Sequence, residues 1–362
     1  MNYQEPGYTA PETPSGDPRP INTDPREQPG LVPPTLNTDP REQPRWQVVP
    51  PIVMTPHRGR SRWHWFIVGV IILAIIFGGL ALTSLALART ITETKHFTVG
   101  DQPALVLTTS DGDVHLNSGP ARQITIVAHK HTFAGSGDQL NVDYNLSSDG
   151  NTLTVSYNEQ FTFNFSLFIR TGVDFDVMVP TATALNVQTS NGSVDASGIS
   201  GSITLKSSNG SVSTNGGSGQ VTLTTSNGSI QASNVSGQIT LTTSNGSIEA
   251  DNASGVMRVK TSNGSIKVSG ASLSGDSTFE TSDGSITFSG SLAPPDSYFF
   301  RTSNGSIDVT LPANSSFQVS SQTSNGSLNS DFNGTTNGQY GSAPFAVLTL
   351  QTSNGSITIH KA

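Results

Sequence analysis

The chain has 362 residues, of which 33% are apolar and none is cysteine, and its formal net charge is −8. The absence of cysteine excludes disulfides, thiolate metal sites and a cysteine nucleophile. Residues 1–94 carry 8 Lys/Arg and 8 Asp/Glu whereas residues 95–362 carry 10 and 18, so the acidic excess belongs to the C-terminal part and disfavours a nucleic-acid partner.

Residues 1–64 hold 14 of the 21 prolines and a short duplication, Asn22–Pro29 against Asn37–Pro44. Such a run removes backbone donors and favours extended polyproline-like conformers. It reads as a disordered tail, either a solvated spacer or a docking segment for a Pro-recognising cytoplasmic partner. From Trp65 to Ala88 there are 24 residues with no charge. At about 1.5 Å per residue this crosses a hydrocarbon core of roughly 30 Å, which predicts a single transmembrane helix in contact with membrane lipid. Arg58, Arg60 and Arg62 precede it, and Trp63 and Trp65 sit at its start. The positive-inside bias places the N-terminus in the cytoplasm and the C-terminal domain outside the cell. Ala86-Leu-Ala88 has the form of a signal-peptidase site. The apolar core is too long and comes after too many residues for a secretory signal, so an uncleaved anchor is expected.

Residues 89–100 read as a linker and residues 101–180 as a strand-rich head. Ala104–Leu116 reads as strand, turn and strand around Ser110-Asp-Gly-Asp-Val114. Period-2 alternation continues in Gln123–Ala128, Gln139–Tyr144, Thr152–Tyr157, Phe161–Phe168 and Val173–Val179, which ends at Pro180. This head is expected to cover the first rung of a stacked array.

Residues 181–362 are repetitive. Thr-Ser-Asn-Gly-Ser-Ile stands complete at Thr225–Ile230, Thr243–Ile248, Thr261–Ile266, Thr302–Ile307 and Thr352–Ile357. Its glycines and those of near copies are Gly192, Gly210, Gly228, Gly246, Gly264, Gly284, Gly305, Gly326 and Gly355, spaced by 18, 18, 18, 18, 20, 21, 21 and 29. A period near 20 marks a repeat architecture whose units bury a core only by stacking. Counting Gly112 as the first phase marker, the residue two after each glycine is aliphatic throughout, from Val114 to Ile357. The residue five before is apolar except at Ser321.

Two all-β folds bury these columns. In an antiparallel meander, Asn-Gly closes type I′ hairpins with positive φ at both central positions. In a β-solenoid, each rung pairs in parallel with the next, and the recurring asparagines form side-chain ladders. The regular period and the asparagine column favour the solenoid, with glycine permitting the turn.

Leu105 to Ile359 resembles the bacterial putative-adhesin β-solenoid domains of unknown function. The resemblance is carried by Ser110-Asp-Gly-Asp-Val114, by the strand ending Val177-Met-Val-Pro180, and by Leu185-Asn-Val-Gln-Thr-Ser-Asn-Gly-Ser-Val194 with the repeats after it. It implies a β-solenoid on an envelope protein and supplies no activity. The chain uses Asn-Gly-Ser where the family commonly has Asn-Gly-Asp, which lowers the charge at the turn.

Motifs that carry chemistry are missing: there is no glycine-rich phosphate loop and no Gly-x-Ser-x-Gly. The outward column three residues after each glycine reads Asp195, Ser213, Gln231, Glu249, Lys267, Thr287, Asp308, Asn329 and Thr358. Asp195 and Glu249 are three rungs apart, roughly 14 Å, too far for a glycosidase pair. Glu249 beside Lys267 reads as a surface ion pair. His129 and His131 share a strand face, with His115 and Asp113 as conceivable further zinc ligands, but the spacing fits no standard zinc pattern. Asp174 and Asp176 share another strand face and read as solvated. No catalytic, cofactor or metal residue is assigned.

The expectation is a non-enzymatic, single-pass cell-surface solenoid, an adhesin or envelope-interaction module whose outward Thr and Ser columns meet an envelope polymer or surface ligand. The alternatives are an envelope-sensing signalling component and a carbohydrate-active β-helix enzyme.

Overall fold

The computed structural model describes residues 66–73, 88–133, 140–158 and 172–362. The expected tail, residues 1–64, and the expected strand Phe161–Phe168 lie outside them. Of the expected span, residues 66–73 are described and helical. No helix among the described residues is long and apolar enough to cross a membrane. The expected linker 89–100 is instead mostly strand, Ala88–Thr98, which pairs antiparallel along its full length with Gln123–Phe133. Its alternation Thr-Ile-Thr-Glu-Thr-Lys-His-Phe-Thr suits a pleated, half-exposed strand.

The remainder is a parallel β-solenoid. Each rung has a first side leading to the Asn-Gly corner and a second side leaving it. Ile203–Ser207 and Val212–Asn215 are the two sides of the Gly210 rung, and Gln220–Thr224 and Ile230–Ser233 are those of the Gly228 rung. Like residues stack in register: Ile203 on Val221 and Leu205 on Leu223 on the first side, Val212 on Ile230 on the second. A third side closes the rung and pairs Ser236-Gly237 with Ser254-Gly255, then Ser254 with Ser272 and Ser272 with Ser291. The corner between second and third sides has positive φ at Gly198, Gly216, Asn234, Asn252 and Gly270. Only glycine or asparagine adopts that conformation cheaply.

The inward columns form one continuous apolar core. Val194, Val212, Ile230, Ile248, Ile266, Ile286 and Ile307 are all buried, as are Val187, Leu205, Leu223, Leu241, Val259, Phe279 and Phe300 opposite them. Phe279 and Phe300 stack with centroids 4.7 Å apart, and Phe288 meets both from the second side.

The hexapeptide serves the corner between first and second sides, and each of its parts has a separate task. Its threonine points inward and donates to the carbonyl of the preceding rung's glycine: Thr225 Oγ1 to Gly210 O at 2.8 Å, Thr243 to Gly228 at 2.9 Å, Thr261 to Gly246 at 2.9 Å. Its asparagine donates Nδ2 to Oδ1 of the asparagine below, as Asn227 to Asn209, Asn245 to Asn227 and Asn263 to Asn245 do at 2.7–2.8 Å. Its isoleucine fills the core. Glycine is required for a reason other than the expected turn conformation. Gly210, Gly228, Gly246 and Gly264 are absent from the positive-φ set, yet a Cβ on any of them would lie under 3.0 Å from the carbonyl oxygen of the glycine one rung below.

Both ends of the stack depart from chain order. The strands Thr152–Tyr157 and Gly172–Val179 form the rung at one end, and the Gly112 rung, earlier in sequence, sits between them and the Gly192 rung. At the other end the last rung in sequence, Ala346–Asn354 with Ile357–Lys361, inserts between the Gly305 rung and the Gly326 rung. The Gly326 rung is therefore terminal, which explains the spacing of 29 and the polar Ser321 in its core column. Antiparallel strands end the columns: Asp143–Leu146 and Gln123–Phe133 at one end, Asn337–Tyr340 at the other. Phe332 and Tyr340 pack on Phe317 there. Antiparallel pairing and bulky rings stop a stack that would otherwise present an open edge.

The asparagine ladder is interrupted at Asp283, which accepts from Asn304 Nδ2 at 2.7 Å but, ionised, has no proton to donate toward Asn263. Asp283→Asn is expected to complete the ladder and stabilise the chain by about 0.5–1.5 kcal/mol, read as a raised thermal unfolding midpoint.

Candidate functional site

The second-side outward column stacks as expected from Asp195 to Asp308, continuing to Thr358 and then Asn329 because of the inverted end. Ser213 Oγ donates to Asp195, and Lys267 Nζ reaches Glu249 Oε1 at 2.6 Å. The hydrogen bond to Glu249 raises the Lys267 pKa. Ser213 and Gln231 separate Asp195 from Glu249, so no two carboxylates of this column adjoin. The first side is richer in threonine. Thr204, Thr222 and Thr240 lie in register facing outward, and Thr224 and Thr242 form a parallel column two residues on. Both are partly exposed in each rung.

His129 and His131 fall on one face of the antiparallel sheet at the N-terminal end, between the strands that carry Thr90 and Thr92 and those that carry Asp174 and Asp176. His131 Nε2 lies 2.8 Å from Asp174 Oδ2 and His129 Nε2 lies 3.0 Å from Asp176 Oδ2. Their Nδ1 atoms meet Thr90 Oγ1 at 3.2 Å and Thr92 Oγ1 at 3.3 Å. An ionised carboxylate only accepts, so Nε2–H donates to aspartate, and in the neutral ring Nδ1 then accepts from threonine. Each imidazole thus has both nitrogens engaged, and the two Thr–His–Asp rows tie three strands together. Asp174 also accepts from the Asp113 amide at 2.8 Å, and Asp113 accepts from the Ser193 amide at 2.7 Å. Asp174 and Asp113 thus link the sheet to the first rungs, whereas Asp176 stays exposed. His115 is on the neighbouring strand, opposite Asp176 and Asp195 in register. Among the described residues no three His, Asp or Glu side chains gather as a metal-binding group.

On the other face of this sheet Lys130 Nζ lies 2.6 Å from Glu93 Oε2 and Lys95 Nζ 3.2 Å from Glu93 Oε1. The Lys130 hydrogen bond holds the Glu93 carboxyl below its ordinary 4.5. Burial, with the nearby Glu93 charge, pushes the Tyr144 phenol up to about 12.

The third side carries a shallow groove of about 470 Å³. It is lined by Gly237 and Gly255, by Ser254, Ser272 and Ser291, and by Leu273 and Leu292. Sequence reasoning missed this side. The signal was a second recurrence, Ser-Gly at Ser200, Ser218, Ser236 and Ser254, spaced by 18 like the hexapeptide.

The family described as Toastrack DUF4097 matches residues 103–293. Solved structures with detectable likeness include a putative adhesin from Bacteroides fragilis, 15% identical over 74% of this chain and 97% of that one, TM-score 0.30. Another is a putative adhesin from Parabacteroides merdae, 13% identical over 75% and 96%, TM-score 0.32. A third is a putative cell adhesion protein from Clostridium sporogenes, 11% identical over 76% and 100%, TM-score 0.24. No curated protein matches the chain.

A carboxyl whose folded pKa is lowered contributes stability that is present above its unfolded value and lost as pH falls through the folded one. Lys130→Met should therefore cost about 1–3 kcal/mol at pH 7. The gap to the parent should narrow as pH drops below 4.5, checked by thermal unfolding across pH.

Proposed function

The chain belongs to the Toastrack DUF4097 family, and from that premise we propose a non-enzymatic, membrane-anchored cell-surface protein whose solenoid presents its outward columns to an envelope polymer or surface ligand. The observation that carries this reading is the division of labour in the hexapeptide. Thr, Asn, Gly and Ile are each engaged within the stack. What repeats and stays accessible is the hexapeptide's two serines, as at Ser226 and Ser229, and the outward set that includes Thr204, Thr222 and Thr240 with Thr224 and Thr242. Such a surface offers hydroxyl donors and acceptors at a constant interval of about 4.8 Å, a spacing that suits an extended, repetitive polymer.

The anchor in this reading is the uncharged stretch Trp65–Ala88, with the arginines before it on the cytoplasmic side and the solenoid outside. The Pro-rich residues 1–64 then face the cytoplasm and are available to a partner there.

The test is an array of glycans and envelope polymers probed with the full chain and with Thr222→Asp/Thr240→Asp. Thr222 and Thr240 are stacked neighbours, so the two carboxylates repel and a cost of about 1 kcal/mol is expected, with circular dichroism confirming that the solenoid stays folded. Retention on at least one polymer, reduced tenfold or more by the substitutions, is the expected result. Retention on none, or retention indifferent to the substitutions, would contradict it.

A further inference from the structure

The acidic net charge conceals a division between two sides of the solenoid. From the Gly192 rung to the Gly305 rung, the charges within the first-side strands are Lys206, Arg258, Lys260, Glu280 and Arg301, four cations and one anion, with the exposed Asp276 directly ahead of Ser277–Glu280. Those of the second side are Asp195, Glu249, Asp251, Lys267 and Asp308, the reverse. All ten lie at the exposed or half-exposed positions of their strands.

Position within the rung makes the two sides complementary and not merely opposite in sign. Lys260 and Glu280 stand four residues before their phase glycines and are stacked neighbours, with Nζ 3.7 Å from Oε2. Glu249 and Lys267 stand three residues after theirs and are stacked neighbours in the opposite order of charge. The chain runs toward the Asn-Gly corner on the first side and away from it on the second. When the first side of one copy meets the second side of another with axes parallel, the corners fall on the same edge. The Lys260 column then faces the Glu249 column, and Arg258 is level with Asp251.

Axial register decides the rest. With no offset Lys260 faces Lys267, a like-charge contact. An offset of one rung, about 4.8 Å, sets Lys260 opposite Glu249 and Glu280 opposite Lys267. The same offset sets Arg258 opposite Asp251 and Lys206 opposite Asp195. Arg301 and Asp308 then meet the uncharged Thr287 and Gln351.

We propose that the solenoid associates side by side with a second copy of this chain, axes parallel and offset by one rung, through its first side on the partner's second side. The contact is heterologous, so each added copy leaves one face of each kind free. Exposed ion pairs are individually weak and screened by salt, while like-charge juxtaposition is costly. The interaction is accordingly salt-sensitive, and its register is set by repulsion as much as by attraction.

The test exchanges charges without disturbing either internal pair or the net charge. Full chain in detergent micelles is examined by sedimentation velocity, with circular dichroism to confirm folding. The parent should form species larger than one copy at low salt and lose them at high salt. Lys260→Glu/Glu280→Lys should reduce that fraction at least fivefold, and adding Glu249→Lys/Lys267→Glu should restore it. A parent that stays single at low salt, an exchange without effect, or a second exchange that restores nothing would overturn the proposal. Because the chain has no native cysteine, a second measurement is open. Chains carrying Lys260→Cys mixed with chains carrying Glu249→Cys should form disulfide-linked pairs at least fivefold faster than with Thr287→Cys chains, and equal rates would also overturn it.

Discussion

One close contact sets the geometry on which the solenoid depends. At the Asn-Gly corner the glycine α-carbon sits against the carbonyl oxygen of the glycine below, and the threonine one rung above donates to that same oxygen. Any side chain at the glycine would hold the rungs apart. Without threonine the buried carbonyl would lose a partner, at a cost comparable to a missing hydrogen bond. The backbone ladder continues through the corner, as with Asn245 N to Ser226 O at 2.9 Å and Ile230 N to Ser247 O at 3.0 Å. The turns therefore stack as tightly as the strands.

This contact has consequences along the whole stack. Rungs in vertical register force like residues onto like, which is why the core columns stay apolar over many rungs and why asparagine amides can form a ladder. Stacking also creates ends. The chain handles both by placing an out-of-order rung near the terminus and adding antiparallel strands. At the N-terminal end two Thr–His–Asp rows and the Glu93–Lys130 pair hold those strands.

The rung itself was largely legible in the sequence. The columns two after and five before the phase glycine are the buried ones, because alternation and period together fix which face turns inward. The asparagine ladder was legible for the same reason. The role of glycine was not, since a conformational requirement and a close-approach requirement leave the same residue in the sequence, and only the packing at the corner separates them. The third side was missed because Ser-Gly pairs read locally as loop, although their recurrence carried the signal. The inverted ends were hidden by pairing between segments distant in sequence, yet Ser321 and Leu328, the weakest members of their columns, both belong to the terminal Gly326 rung. The histidines and aspartates of the head looked like isolated surface groups because their partners come from three strands distant in sequence and from the turn at Asp113.

With the threonine, asparagine, glycine and isoleucine of the motif engaged within the stack, chemistry open to partners lies in the motif's exposed serines and in the outward columns: hydroxyls on the first side, and charges distributed in opposite order on first and second sides. Glycine serves close approach at one corner of the rung and conformation at another, and the stack depends on both. The most direct measurement compares Gly246→Asn with Gly270→Asn by thermal unfolding. Gly270 has φ 62°, the positions one and two rungs earlier are already asparagine at Asn252 and Asn234, and a Cβ there would crowd only the Asn252 side-chain oxygen, which can turn aside. Gly246 lies against the Gly228 carbonyl. A change within about 0.5 kcal/mol is expected at Gly270, against a loss of about 1–3 kcal/mol or more at Gly246. Equal tolerance at the two corners would contradict the separate roles assigned to these glycines.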